Sequence, residues 1–237
     1  MRLDKFLSNL GIGSRKEVTL IIKKGRVTIN GIKVTDPGVK VNLEKDVVQI
    51  DGKEVRGKVE GFYYKFYKPR GCVTSKSDKD LTVMDFLPKD LPGLNRIFPV
   101  GRLDKDAEGL LIFTDDGVLA HRMMHPKWKL VKTYQVWLDK EITELDLKKI
   151  EQGVELSDGK TLPCTASFLD ETKRWIKIEV REGRYHLIKR MFGSLGYKVV
   201  GLKRIAIGPV ELEGLKPSEI VPLSEEEVKL LKKAVGL

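Results

Sequence analysis

The chain has 237 residues, 41% of them hydrophobic and 33% charged, and its 44 Lys and Arg outnumber 34 Asp and Glu for a formal charge of +10. That content can fill the core of one large domain or of two smaller ones, and we expect two. Nothing in it approaches the ~18–20-residue apolar run of a membrane span, and no apolar core of a signal peptide follows Met1-Arg2-Leu3-Asp4, so the expectation is a cytoplasmic protein with no membrane partner.

Leu3, Phe6, Leu7 and Leu10 recur at helical spacing and predict a first helix ended by Gly11. Ser14 and Glu17 form a capping-box pattern that opens a second helix, with Val18, Ile21 and Ile22 as its buried stripe and Gly25 as its stop. Val27-Thr28-Ile29 and Ile32-Lys33-Val34 flank Asn30-Gly31, a strong hairpin signal, and Asp46 to Asp51 reads as a further strand. Two short helices on a small sheet within residues 1–58 resemble the uS4-like RNA-binding domain. Residues 1–60 carry 13 Lys and Arg against 8 Asp and Glu, half of the chain's positive excess in a quarter of its length. Arg2, Arg15, Lys16, Lys23, Lys24 and Arg26 cluster at the helix ends. Singly each reads as a solvated side chain; as a set they point to RNA phosphates. Lys53 to Gly61 reads as a linker.

The second domain, residues 62–237, opens with an aromatic-rich strand from Phe62 to Lys68, whose rings either pack in a core or stack on bases. Short helices are expected over Thr82–Leu87, Val118–Met124 and Thr143–Gln152, and strands over Lys132–Leu138 and Arg174–Val180. A helix over Tyr185–Leu195, a strand over Gly201–Ile207 and a last helix capped by Ser224 and Glu227 complete the chain. Strands and helices without a regular alternation argue for an α+β fold with a mainly antiparallel mixed sheet.

The stretch Gly101-Arg102-Leu103-Asp104-Lys105-Asp106-Ala107-Glu108-Gly109 places one carboxylate, Asp104, in a tight loop between strand-like runs at Arg96–Val100 and Leu110–Phe113. We expect this loop at a sheet edge, with Gly101 and Gly109 making the bends. On spacing alone Asp104 is either a loop cap or a displayed catalytic acid. The three histidines, His121, His125 and His186, do not suggest a zinc site. Cys72 and Cys164 belong to no close pair and read as small apolar residues in a reducing compartment. Phosphate-loop and dinucleotide fingerprints are absent, Asp115-Asp116-Gly117 reads as a turn, and neither metal nor organic cofactor is expected.

Gly-Arg-Leu-Asp at 101–104, Gly109-Leu110-Leu111 and Thr114-Asp115-Asp116-Gly117 together resemble the signature of the ribosomal RNA pseudouridine synthases of the small-subunit (16S) type. Lys68-Pro69-Arg70-Gly71, Lys132-Thr133-Tyr134, Glu182-Gly183-Arg184-Tyr185-His186 and Lys189-Arg190-Met191-Phe192 follow in the same order. Ala107 and Leu187 depart from it, where Thr and Gln are usual. The resemblance implies isomerisation of a uridine without a cofactor. It makes Asp104 the carboxylate near the sugar, Tyr134 the contact to the target base and Lys189 the basic partner of Asp104. Arg102, beside Asp104, is the candidate to fill the space left by an extruded base, with a structural salt bridge as its other reading; Arg184 is expected at RNA, and Arg190, which points elsewhere on its helix, reads as phosphate-binding or structural. Whether Asp104 attacks covalently or removes a ribose proton stays open. The implied partner is 16S RNA or an assembling small subunit met by a monomer. The alternatives are a 23S-directed relative and a non-catalytic assembly factor.

Overall fold

The computed structural model describes residues 1–43, 45–55 and 61–237. They gather into two compact units, one of residues 1–61 with 93–96 and the other of residues 62–92 with 97–237.

In the first unit, α1 (Leu3–Asn9) and α2 (Arg15–Lys23) precede the strands β1 (Val27–Ile29), β2 (Ile32–Val34), β3 (Val48–Ile50) and β4 (Lys53–Glu54). Ser14 caps α2 with the reciprocal Glu17 contact that the sequence suggested. Asn30 and Gly31 both take positive φ, 52° and 79°, as a two-residue turn matched to strand twist requires. The strands pair antiparallel in the order β2-β1-β3-β4. Leu3, Leu7, Val18, Ile22 and Val27 are fully buried beneath them. The linker expected from Lys53 therefore begins later, because Lys53 and Glu54 pair with β3; residues 56–60 of that stretch lie outside the described residues.

The second unit runs through β5 (Tyr63–Lys68), β6 (Phe98–Val100), β7 (Glu108–Thr114), α3 (Gly117–Met124), β8 (Lys132–Leu138), α4 (Glu144–Gln152), β9 (Thr165–Phe168) and β10 (Trp175–Val180). It continues with α5 (Leu187–Gly193), β11 (Val199–Ile207), β12 (Val210–Glu211), β13 (Ile220–Pro222) and α6 (Glu225–Ala234). The helix expected over Thr82–Leu87 is a single 3-10 turn, Val83–Phe86, capped by Thr82 and Asp85. Asp116, read as a turn residue, accepts from the Val118 and Leu119 amides and caps α3. The sheet follows the order β13-β5-β7-β11-β8-β10-β9, antiparallel except where β11 runs parallel to β7. That one parallel pairing joins two apolar cores. One gathers Leu110, Ile112, Leu119, Met123 and Leu231, and the other Val136, Ile176, Ile178, Ile188, Met191 and Phe192. The aromatics of β5 belong to the packed interior, Tyr64, Phe66 and Tyr67 being buried.

β6 and β11 share one flank of β7. β6 pairs with its C-terminal half at Ile112–Thr114, and β11 with its first residues, Lys203 opposite Glu108 and Arg204 opposite Gly109. The loop 101–107 enters where the two diverge, so it sits at a central strand and not at the sheet edge the sequence suggested. β7 is already paired to β5 on its other flank. The parallel contact is unusually close at Gly109. Its φ is 109°, and a Cβ there would lie 2.2 Å from the Arg204 carbonyl oxygen. Gly101 also has positive φ, 75°, but open space around it.

Gly109→Ala should therefore destabilise the fold by roughly 2–5 kcal/mol, since backbone strain and a backbone clash add. Gly101→Ala should cost only about 1–2 kcal/mol. Denaturant melts of both variants check this; equal losses would mean the β7–β11 approach does not require glycine.

Candidate active site

The loop that carries Asp104 is held by its own backbone. Lys68, at the end of β5, is completely buried. Its amine donates to the carbonyls of Ala107 at 2.8 Å and Pro69 at 3.1 Å, with Lys105 at 3.5 Å. Burial pushes its pKa down, while the Asp104 and Asp106 charges oppose that fall. Arg70 Nε donates to the Asp106 carbonyl, and the Gly71 amide to that of Lys105. Thr74 closes the other side, its hydroxyl donating to the Leu103 carbonyl at 2.9 Å and accepting from the Leu103 amide at 3.1 Å. Leu103 and Ala107 anchor the loop in the core. Ala107 and Leu187, the two departures from the usual pattern, are both buried and belong to the same apolar cluster.

This frame presents the Asp104 carboxylate to two cationic or potentially cationic groups. Oδ1 lies 3.3 Å from His186 Nε2 and Oδ2 lies 3.3 Å from Lys189 Nζ. Lys189, on α5, makes its shorter contact with Asp106, at 2.6 Å, and so bridges both loop carboxylates. Burial disfavours the Lys189 charge, but the Asp106 hydrogen bond and the Asp104 carboxylate outweigh it and hold the pKa above the usual lysine value. The Lys189 bond in turn holds Asp106 below the usual carboxylate range. His186 adopts a left-handed backbone, φ 47°, immediately before α5. Its ring stacks on exposed Tyr185 with centroids 3.8 Å apart. The helix expected from Tyr185 thus starts two residues later, because this turn directs His186 at the carboxylate. His186 was legible only as part of a motif; its role as a neighbour of Asp104 depends on that backbone turn.

Asp104, Tyr134 and Arg102 line one cleft of about 670 Å³, within the ~300–1,000 Å³ range of small-molecule sites. Tyr134 is buried on β8 and shares its face with Lys132, Val136 and Leu138 by strand alternation. Arg102 is exposed and, among the described residues, in no ion pair. Lys132, Glu182 and Arg204 also line this cleft; sequence reasoning named Lys132 and Glu182 only as members of motifs, without a role, and did not single out Arg204.

The basic residues expected at RNA divide into two groups. Arg184 and Arg190 both grip Asp158, Arg184 Nη1 at 2.9 Å and Arg190 Nη1 at 3.0 Å, and Arg184 Nε also donates to Glu182. Their guanidinium groups fasten residues 158–159 to the start of α5, the structural one of the two roles that the sequence left open for Arg190. Arg2 pairs likewise with Asp4, and Arg26 with Asp51. By contrast Arg15, Lys16 and Lys23 surround an open concavity on α2 with Thr19 and exposed Leu20. Lys24, the C-cap of that helix, is exposed beside them in sequence. Cys72 and Cys164 are buried free thiols, and burial pushes Cys164 up to about 12. Among the described residues no cluster of three or more His, Cys, Asp or Glu is arranged to hold a metal, and no helix is long and apolar enough to cross a membrane.

Comparison with known proteins gives the family of the chain. Residues 63–194 match the family model described as RNA pseudouridylate synthase, and residues 1–48 match the S4 domain. An RNA pseudouridine synthase of Aquifex aeolicus is 42% identical over all of this chain and 96% of its own. The ribosomal small subunit pseudouridine synthase A of Vibrio vulnificus is 40% identical, covering 96% of this chain and 98% of its own. The ribosomal large subunit pseudouridine synthase B of Bacillus subtilis is 37% identical, covering 98% and 95%. A crystal structure of a pseudouridylate synthase superposes with a TM-score of 0.69 at 37% identity, over 98% of this chain and 99% of that one. The Asp104 cleft and these matches have one reading: the chain belongs to the RNA pseudouridine synthases, isomerases that act on RNA, and it carries an S4 domain ahead of the synthase domain.

Proposed function

We propose that this synthase isomerises a single uridine of 16S ribosomal RNA, with Asp104 acting at the ribose. The observation that carries the site is the Asp104 carboxylate poised between His186 and Lys189 at a cleft that also holds Tyr134. The reaction breaks the bond from uracil N1 to ribose C1′, turns the base and joins C5 to C1′, with no net oxidation or hydrolysis. A uridine stacked in RNA must first be turned out, at a cost of a few kcal/mol. Arg102, exposed and without an ion pair among the described residues, fills the vacated stack, while Tyr134 stacks on the uracil within the cleft. Lys189 and His186 hold the Asp104 carboxylate in place. Arg15, Lys16, Lys23 and Lys24 select the RNA region through phosphates.

The small-subunit target is supported by the Glu182-Gly183-Arg184-Tyr185-His186 run and by the Vibrio vulnificus relative named for that subunit. A 23S target is the second reading, favoured by the Bacillus subtilis relative named for the large subunit. Pseudouridine mapping in cells lacking this protein separates them. Loss of one 16S position is expected, and loss confined to 23S RNA would transfer the assignment.

Asp104→Asn should lower modification of transcribed ribosomal RNA by at least ~10²-fold with melting and RNA affinity unchanged, since the amide is isosteric. Substantial turnover would place the chemistry elsewhere. Replacing Arg15, Lys16 and Lys23 together by Ala should weaken binding and flatten the plot of log affinity against log salt by about 0.7–0.9 for each phosphate that is no longer neutralised. An unaltered slope would mean that these side chains are merely solvated.

A further inference from the structure

The floor of the Asp104 cleft carries two cations that the chemistry above does not use. Lys132 on β8 lies two residues from Tyr134 and so on the same face of the strand. Arg204 on β11 stands directly opposite Tyr134 in the sheet register, on that face too. Arg204 is only 3% exposed. Its Nε donates to the Leu110 carbonyl at 2.8 Å, but among the described residues the buried Nη2 has no hydrogen-bond partner. A buried donor left in this state is a standing cost unless a ligand meets it. The Lys132 amine reaches only the Leu130 carbonyl, at 3.4 Å, and no carboxylate among the described residues pairs with it.

The acids of the cleft are already engaged. Glu182 accepts from the Leu162 amide with one oxygen and from Arg184 with the other. Asp104 faces His186 and Lys189. Apolar Val180, Leu202 and Ile207 line the same cleft, which suits the flat face of a base better than a permanently charged phosphate.

We propose that Lys132 and Arg204 form an oxyanion site for the departing uracil, donating to its O2 or O4 as the glycosidic bond breaks. This rests on the cleft being the reaction site. The bond from C1′ to N1 breaks with its electron pair on N1, and conjugation spreads that charge to both carbonyl oxygens. C5 then bonds to C1′, the C5 proton leaves and N1 takes up a proton, so the isomerisation balances with no co-reactant. Preorganised donors aimed at developing charge act on the transition state rather than on binding. Burial first, and then the Arg204 charge, push the Lys132 pKa down to about 8. The other charged or titratable groups lining the cleft are Tyr134 beside Lys132 on β8, Arg102, Asp104 and Lys105 from the loop, and Glu182, Arg184, Tyr185 and His186 from the segment before α5.

The test uses the full chain with whichever transcribed ribosomal RNA, 16S or 23S, the wild type modifies. Lys132→Met should lower the single-turnover rate by about 10²–10³-fold with RNA affinity and melting unchanged, and Lys132→Arg should recover part of that rate. Because only the charged amine serves, the wild-type rate should fall as pH rises through about 8, and that limb should move upward in Lys132→Arg. A wild-type rate in Lys132→Met overturns the proposal. So does a weaker affinity at unchanged rate, which would make Lys132 a phosphate contact. Asp104→Asn is measured alongside. Its inactivity beside a normal Lys132→Met defeats the oxyanion site alone, whereas an active Asp104→Asn removes the cleft reading itself.

Discussion

The close parallel approach of β7 and β11 at Gly109 is the constraint on which the synthase domain depends. Every other pairing in the large sheet is antiparallel, and this strand pairing joins the half built on β5 and β7 to the half built on β8 and β10. It also ends the pairing available to β6, which must leave β7 at Ile112. The loop 101–107 occupies the resulting fork. The backbone geometry that opens the cleft therefore also delivers its carboxylate and sets Arg204 opposite Tyr134 at its floor. A side chain at position 109 would collide with backbone and not with a movable neighbour, so the strands cannot relieve it by a rotamer change.

A loop at such a junction needs its carbonyls satisfied, and the chain does this with charge. Lys68 is fully buried and gives its amine to the carbonyls of Ala107, just past Asp104, and of neighbouring Pro69. Hydrogen bonds from a charged donor contribute about 1.5–3 kcal/mol each, enough to offset much of the desolvation of one ammonium. The division of labour is then clear. Lys68, Arg70 and Thr74 hold the loop backbone, while Lys189 and His186 address the carboxylate from the other side of the cleft. Arg184 and Arg190, fastened to Asp158, fix the start of the helix that supplies Lys189.

Local signals in the sequence led to correct local structure. The Ser14–Glu17 box, the Asn30-Gly31 turn and the alternation of Lys132–Leu138 each have a cause within a few residues, and each appears where its pattern lies. The short strands β4, β9, β12 and β13 did not announce themselves. Two to four residues hold too little periodicity, and Pro222 argues against a strand when only its neighbours are considered. Long-range pairing was the other blind spot. Nothing near Arg190 or Arg26 in the sequence names Asp158 or Asp51 as its partner, 32 and 25 residues away. The ion pairs of Arg2, Arg26, Arg184 and Arg190 appear only once the chain is folded. Asp104 and Lys189 were legible through motif order, whereas Arg204 and His186 gain their place only from sheet register and a left-handed turn.

Everything in the proposed chemistry requires one uridine to enter the Asp104 cleft. A structure of the full chain bound to the RNA fragment it modifies tests this most directly. The expected result is a uridine turned out of its stack, its ribose C1′ against the Asp104 carboxylate and its uracil on Tyr134 with the carbonyl oxygens toward Lys132 and Arg204. A uridine still stacked in the RNA, or one seated instead in the separate concavity lined by Tyr67, Gln135, Lys177 and Lys203, would contradict it.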